Sequence, residues 1–413
     1  MRKLLLFLLA IVNLMPLRAN DSVSIALALR LDSLCCDSLL QHSQLGLQVY
    51  DLTADTLLYS HNARQLMRPA SCQKVLTAVT ALHFLGADYD FTTSLYTTGT
   101  LRNATLDGDL IVRAGFDPLF GNADLQQFVK ALQQKGVKEV RGRLLLDLSM
   151  KDTLTKGGGW CWDDDDKLLV PLYCNGNTHF AADFKKALQR GGIKLVGKVR
   201  HTKGVPAGAQ LLTHVKRPLT QVLHPMMKES DNLCAESVFY QLAARMGRPM
   251  ASATDAVDHI DALIDSLGYN PKHYKVVDGS GLSLYNYTTP ELMVGFLRYA
   301  YSDASIFDAL CASLPIAAMD GTLKKRMKGT PAALNVRAKT GSVTAISTLS
   351  GYLMAPNKHV LCFAIFNQGL IRAAHGRDFQ DRVCTALTSA VSSEIHVVNS
   401  ETPTDSAKNC DNF

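Results

Sequence analysis

Apolar positions recur along this chain in more than one rhythm. Residues 22–40 repeat at helical spacing. From Gly46 to Tyr50 apolar and polar side chains alternate at the strand period, and a turn-rich stretch at 51–55 leads to a second short run, Thr56–Tyr59. Together they predict a hairpin. Arg68-Pro69-Ala70 then introduces Ser71–Leu85, a strongly apolar run of helical length. A proline just ahead of a serine-led apolar run is a helix-start signal.

The character changes between Asp88 and Gly204. Short strand-like runs, Thr92–Thr97 and Asp109–Arg113, sit among glycines. The stretch from Phe128 to Gly142 is echoed from Phe184 to Gly197, each reading as a helix, a glycine stop and a strand. Two copies do not make a solenoid but do suggest a small α/β module. Between them Gly157-Gly-Gly-Trp-Cys-Trp-Asp-Asp-Asp-Asp-Lys167 can only be a loop. After Pro218 the helical pattern returns through Met226, then at 232–246, 253–267 and 290–301. Two strand candidates, Ile346–Met354 and His359–Asn367, precede a last amphipathic helix, 376–391. The fold class expected is α/β (α+β): one antiparallel sheet built from both chain ends and covered by helices, with a smaller α/β domain inserted. The expected division is 20–87 and 205–398 for the discontinuous main domain, 88–204 for the insertion, and 399–413 for a polar, flexible tail.

The first residues are basic (Met1-Arg2-Lys3), Leu4–Val12 is apolar, and Leu17-Arg18-Ala19 ends on a small residue. Residues 1–19 read as a secretory signal peptide cleaved after Ala19. The rival, a membrane anchor, wants roughly 18 apolar residues, more than this run offers. No cysteine stands close enough for a lipid-modified start, and membrane association is at most peripheral. The expected location is periplasmic or otherwise extracytoplasmic.

Composition narrows the field. The 413 residues are 47% hydrophobic and 19% charged, ordinary for a globular protein of two or three domains. A net charge of +6 without basic stripes gives no reason to expect nucleic acid as a partner. Ten cysteines are too few to build the fold from disulfides. Cys161 and Cys174 are close enough in sequence to pair, while Cys72, Cys234 and Cys362 read as small buried hydrophobes; connectivity stays open. No metal site is expected, since H-E-x-x-H and zinc-like Cys/His spacings are missing. No cofactor is expected either, and oligomeric state is left open.

Three short motifs stand in order: Ser71-Cys72-Gln73-Lys74, Ser230-Asp231-Asn232 and Lys339-Thr340-Gly341. Each alone is a weak signal, readable as a solvated helix face, a helix cap and a basic turn. S-x-x-K, S-D-N and K-T-G in this order are the signature of the penicillin-interacting serine enzymes. The chemistry fits. Ser71 and Lys74 share a helix face, and the first turn favours developing negative charge. A serine hydroxyl needs a base, and Lys74 serves only as a neutral amine. Burial among Val75, Leu76 and Val79 and repulsion from Lys339 would lower its pKa. Ser230 can relay a proton to a leaving amine, and Asn232 can hold a substrate amide. The strand after K-T-G can pair with an extended peptide, with Lys339, Thr340 and Ser342 taking its terminal carboxylate. Backbone N–H groups of Ser71 and Ser342 would form the oxyanion hole. No G-x-S-x-G elbow occurs, which disfavours an α/β-hydrolase.

The chain resembles the penicillin-binding protein 4 family of D-alanyl-D-alanine carboxypeptidases/endopeptidases. Besides the motifs, the segments Gly108–Arg113 with Asp117-Pro118, Gly159–Asp164, Lys228–Asn232, Asp278–Ser283 and Asp320–Leu323 are similar to family segments. The resemblance runs from about Gly46 to Phe366 and implies a penicillin-recognising, β-lactamase-like fold. It implies an acyl-enzyme on Ser71 that cleaves peptidoglycan stem peptides, and β-lactam antibiotics as covalent inhibitors. It also implies that Asp164 binds the amino end of a diaminopimelate side chain; four consecutive aspartates fit a solvated acidic loop equally well. Larger family members carry two nested insertions, whereas here the chain passes from Asn175-Gly-Asn177 almost directly to the helix at Phe184. The balance of carboxypeptidase against endopeptidase therefore stays open. Two rivals remain. One is a serine β-lactamase, for which a deacylating E-x-x-L-N loop is missing downstream of Asn232. The other is a non-catalytic wall-binding or β-lactam-sensing protein.

Overall fold

The computed structural model describes residues 19–390 apart from 163, 165, 166, 246 and 248. The expected signal segment, but for Ala19, and the expected tail lie outside the described residues. The chain opens with helix α1 (Ala19–Cys35), strands β1 (Gln44–Asp51) and β2 (Thr56–His61) and helix α2 (Gln73–Leu85). Next come β3 (Asp90–Thr97), β4 (Thr100–Arg102), β5 (Thr105–Asp107), β6 (Leu110–Arg113), α3 (Asn122–Gln134), β7 (Glu139–Val140) and β8 (Leu144–Asp147). These are followed by α4 (Phe180–Arg190), β9 (Lys194–Leu195), β10 (Val199–Thr202) and β11 (Gln210–Pro218). Five helices follow: α5 (Leu219–Lys228), α6 (Asn232–Ala244), α7 (Ala253–Ser266), α8 (Pro290–Ser302) and α9 (Ala304–Ser313). The chain closes with β12 (Arg337–Val343), β13 (Ile346–Met354), β14 (Val360–Gln368) and α10 (Ala373–Thr388).

The main sheet has the order β12-β13-β14-β1-β2, antiparallel throughout. As expected from the sequence, it joins the two ends of the chain: β1 pairs with β14 from Gln44–Gln368 to Asp51–Leu361. Strands β13 and β14 are buried along nearly their whole length, because α8 covers one face and α10 the other. That is why they read as continuous apolar runs rather than alternating ones. On the helical side, α2 is buried from Gln73 to Leu82, so it carries no polar stripe and runs through the core.

The insertion forms two further sheets among the described residues, β10-β8-β6-β3-β11 and β4-β5-β7-β9. The sequence echo is structural. Each copy gives a helix, a left-handed glycine (Gly136, φ 79°; Gly192, φ 71°) and two strands, which lie side by side and parallel as β7/β9 and β8/β10. The glycines that end the copies have a reason of their own. A Cβ on Gly197 would stand 2.0 Å from Gly142 O, and one on Gly142 2.1 Å from Gly108 O. Only glycine allows the strands to crowd where they pass from one sheet to the other. Antiparallel pairing of β3 with β11 carries this hydrogen-bonded unit to Pro218, past the boundary expected at Gly204. Strand β11 alternates poorly and was therefore not legible as a strand.

Arg217 on β11 reaches Asp117 at 3.2 Å and Asp124 at 2.8 Å, and both carboxylates are buried. Asp124 also accepts the Gly121 N–H at the start of α3. Removing the guanidinium would strand two buried acids. Arg217→Ala is expected to cost about 3–5 kcal/mol, the usual penalty for breaking a buried ion pair. Urea denaturation checks this; a loss within experimental error would show that the two acids do not depend on Arg217.

Candidate active site

Three stretches remote in sequence meet beside β12, at the edge of the main sheet. Ser71 is not inside α2 but in a short 3-10 turn, Ala70–Cys72, that precedes it. Ala70 is left-handed (φ 46°), a costly state for a residue bearing a Cβ. The turn is held from two sides. Thr348 Oγ1 on β13 donates to Pro69 O at 2.7 Å. Gly281 presses so closely that a Cβ there would stand 1.9 Å from Ala70 O. The glycine of K-T-G does the same from the sheet: a Cβ on Gly341 would lie 2.1 Å from Thr348 Oγ1 and 3.0 Å from Cys72 N.

Lys74 is fully buried, and its Nζ lies 3.0 Å from Ser71 Oγ, 2.6 Å from Asn232 Oδ1 and 2.8 Å from Ser280 O. The Ser280 carbonyl can only accept, and an amide oxygen likewise. A neutral amine has two N–H groups and one lone pair. In that form, with the two N–H groups on Asn232 and Ser280, the lone pair would face the Ser71 hydroxyl; the charged amine donates to Ser71 Oγ instead.

The Ser280 carbonyl is itself fixed. Glu236 on α6 accepts the Ser280 N–H at 2.8 Å, and Thr77 on α2 donates to Gly279 O at 2.7 Å. Asp278 accepts from the N–H groups of Gly281 and Ser283 (each 2.7 Å), from Asn286 Nδ2 (2.8 Å) and from Trp160 Nε1 (2.8 Å). Through Trp160 the insertion's loop is tied to the acceptor of Lys74.

Ser230 sits between α5 and α6 in a left-handed conformation (φ 62°), and Asp231 caps α6 by accepting the Cys234 N–H at 2.8 Å. Lys339 Nζ donates to Ser230 Oγ at 2.9 Å and to Thr340 O at 2.7 Å. Lys339 is wholly buried; burial first, and the Lys74 charge second, pull its pKa down to about 7. Burial, then Asp278, push the buried Glu236 up to about 8. Burial also raises Cys72, whose thiol donates to Lys339 O at 3.2 Å and ties the Ser71 turn to β12.

On β12, Ala338 N–H donates outward to Pro315 O at 3.0 Å. The two-residue strand period turns the N–H groups of Thr340 and Ser342 to that same outer edge. Thr340 Oγ1 donates to Thr322 Oγ1 at 2.8 Å, and Ser342 is exposed.

The sequence profile of the D-Ala-D-Ala carboxypeptidase 3 (S13) family matches residues 27–171 and 173–390. The chain belongs to that family. D-alanyl-D-alanine carboxypeptidase DacB of Haemophilus influenzae is 26% identical over 88% of this chain and 91% of its own length. The D-alanyl-D-alanine carboxypeptidase of Actinomadura sp. strain R39 is 27% identical over 82% and 80%. The crystal structure of H. influenzae penicillin-binding protein 4 (dacB) superposes with a TM-score of 0.76 at 25% identity, covering 86% of this chain and 98% of that one. A predatory peptidoglycan endopeptidase of Bdellovibrio bacteriovorus shares the fold, with a TM-score of 0.53 at 19% identity, over 79% and 86%. This S13 member is a serine peptidase of the D-Ala-D-Ala carboxypeptidase type with the expected penicillin-recognising fold.

Of the residues singled out from sequence, Ser71, Lys74 and Asn232 form one hydrogen-bonded group and Ser230, Lys339 and Thr340 another. Asp164 bonds within its own turn: its carboxylate accepts the N–H of Cys161 at 2.6 Å, in the loop that Trp160 anchors. The suggested Cys161–Cys174 pairing is not formed: Cys161 is exposed, and Cys174 is buried in the insertion's core. Cys72, Cys234 and Cys362 are buried free thiols, as read. Sequence reasoning gave no role to Glu236, Thr77, Ser280 or Thr322. The segments Asp278–Ser283 and Asp320–Leu323 were the signal for two of them.

The Lys339 amine carries a pH signature. Its folded pKa of about 7 lies below the ordinary 10.5, so between these values the unfolded chain binds more protons. Stability contributed through Lys339 therefore rises with pH across that window and is flat below it. Wild type is expected to gain thermal stability relative to Lys339→Met as pH is raised from about 7 toward 10. A constant Tm difference over that range refutes the buried, depressed amine.

Proposed function

We propose that Ser71 is the nucleophile and neutral Lys74 its general base, in a carboxypeptidase/endopeptidase that cleaves peptidoglycan stem peptides after a D-alanine. One observation supports this above the others: an amine 3.0 Å from the serine hydroxyl, with a backbone carbonyl and an amide oxygen occupying its remaining donors. Lys74 Nζ takes the hydroxyl proton as Ser71 Oγ attacks the carbonyl carbon of the penultimate residue. The negative oxygen of the tetrahedral intermediate is held by the N–H groups of Ser71 and Ser342. The C–N bond then breaks, and the leaving amine takes a proton passed along Lys74, Ser230 and Lys339. An ester on Ser71 remains. Water, deprotonated by the same group of amines and hydroxyls, attacks that ester and frees the shortened peptide.

Asn232 holds the substrate amide, and Lys339, Thr340 and Ser342 take the terminal carboxylate. Asp164 is assigned to the amino end of a diaminopimelate side chain. A β-lactam enters the same path and stops at the ester. The division that goes with this reading is a discontinuous catalytic domain, interrupted by an α/β domain and exported by a signal peptide to the extracytoplasmic wall. Among the described residues no helix is long and apolar enough to cross a membrane.

Two experiments test the assignments. Labelled penicillin is expected to attach to Ser71 of the wild type and not to Ser71→Ala, as read by peptide mass mapping; attachment elsewhere refutes the nucleophile. Release of D-alanine from a D-Ala-D-Ala pentapeptide supports the reading. Rapid penicillin hydrolysis without peptide cleavage would mark a β-lactamase, and binding without turnover a sensor. Asp164→Ala is expected to cut kcat/KM about 10-fold on diaminopimelate peptides, the scale of one charge-assisted hydrogen bond, and to leave acetylated analogues unchanged. Equal losses on both would remove Asp164 from the substrate site.

A further inference from the structure

The outer edge of β12 is not open along its whole length. Ile316 bridges to Arg337, and Ala338 N–H bonds to Pro315 O, so the segment 315–317 covers the edge up to Ala338. Beyond it the edge at Thr340 and Ser342 is free to pair. At the junction stands a built turn, Gly321–Leu323. Asp320 anchors it, accepting from the Ile316 N–H at 2.7 Å and from buried Lys228 Nζ at 2.5 Å. Gly321, left-handed at φ 51°, fits because a Cβ would stand 2.5 Å from Lys228 O. The turn presents one exposed hydroxyl to β12: Thr322 Oγ1, 2.8 Å from Thr340 Oγ1. Exposed Lys324 and Lys325 follow it directly.

A peptide whose scissile carbonyl oxygen lies at the Ser342 N–H, and whose next residue runs toward Thr340, is antiparallel to β12 and has its C-terminal end at this turn. We propose that the Asp320–Leu323 turn is the end wall of the peptide groove and that Thr322 is a carboxylate-binding residue, restricting the leaving group to a residue whose α-carboxylate is free. This rests on the Ser71 reading. The Thr322 hydroxyl donates either to the carboxylate or to Thr340 Oγ1, whose own proton then turns to the carboxylate. The second arrangement keeps the Thr340–Thr322 hydroxyl bond with its direction reversed. A leaving group extended through its α-carboxyl would meet the turn and the strand segment 315–317 behind it.

The test compares wild type, Thr322→Val and Thr322→Ser on a blocked lysyl-D-Ala-D-Ala peptide and on its C-terminal amide. Valine keeps the shape of threonine without the hydroxyl, and the site is exposed, so folding is spared. Thr322→Val is expected to raise KM for the free acid about 10-fold with kcat within about twofold, and to leave kcat/KM for the amide within about twofold of wild type. Thr322→Ser is expected to restore KM for the acid. An unchanged KM in Thr322→Val, or equal losses on acid and amide, overturns the proposal. Labelled penicillin mapped to Ser71 in the same preparations keeps the two readings separable: labelling at Ser71 with no change in KM sinks Thr322 alone, whereas labelling away from Ser71 sinks the nucleophile.

Discussion

Two lysine amines are fully buried in one site, and both cannot hold a proton without a large electrostatic cost. Much of the site follows from that constraint. Lys74 is offered acceptors enough for an amine's two N–H groups and one hydroxyl for its lone pair. Lys339 is offered the Ser230 hydroxyl and a backbone carbonyl. Ser230 thus goes with Lys339, while Lys74 is bonded to Ser71 and Asn232.

Holding the Lys74 amine in a fixed direction requires fixed acceptors, and one of them comes from the Asp278–Ser283 loop. Helices α2 and α6 grip it from two sides. On α2, Lys74 and Thr77 are one turn apart and bond Ser280 O and Gly279 O. On α6, Asn232 and Glu236 are likewise one turn apart, and bond Lys74 Nζ and Ser280 N. Each helix thus uses the same face once to bond within the Ser71 group and once to hold the loop. Asp278 closes the loop on itself and ties it to Trp160 of the insertion. The Trp160 loop is therefore coupled to Lys74 through two hydrogen bonds and a short stretch of backbone, and the same part of the chain sends Phe91, Phe116, Leu169 and Tyr173 into the main core.

What could be read from sequence divides along physical lines. The long apolar runs of α2, β13 and β14 and the glycine-ended echo of the insertion were visible because burial and turn geometry leave a local trace. The three motifs were visible because their chemistry demands particular side chains at short spacing. Strand β11 was missed because only Val215 among its residues is buried, which leaves no alternation to detect. The left-handed turn at Ala70 was missed because its cause lies far along the chain, in Gly281, Gly341 and Thr348. Ser280 acts through its carbonyl, and a backbone atom has no sequence signature at all. Asp164 sits in a turn that its own carboxylate caps, so the local and the functional explanation predict the same residue there.

An exposed sheet edge is ordinarily a liability, since it invites pairing with any extended chain. Here β12 keeps such an edge for only a few residues. The segment 315–317 occupies it on one side of Thr340, and the turn into β13 ends it past Val343. What remains is long enough for a peptide's last residues and too short for promiscuous strand addition. The strand cannot slide to enlarge it, because Gly341 is locked against Thr348 and the Cys72 backbone, and Cys72 Sγ bonds Lys339 O. The segment 315–317 thus sets how much of the edge is left open, while the Gly341 and Cys72 contacts fix how far the Ser71 turn lies from it, so the length of the edge and its distance from Ser71 are held by separate contacts.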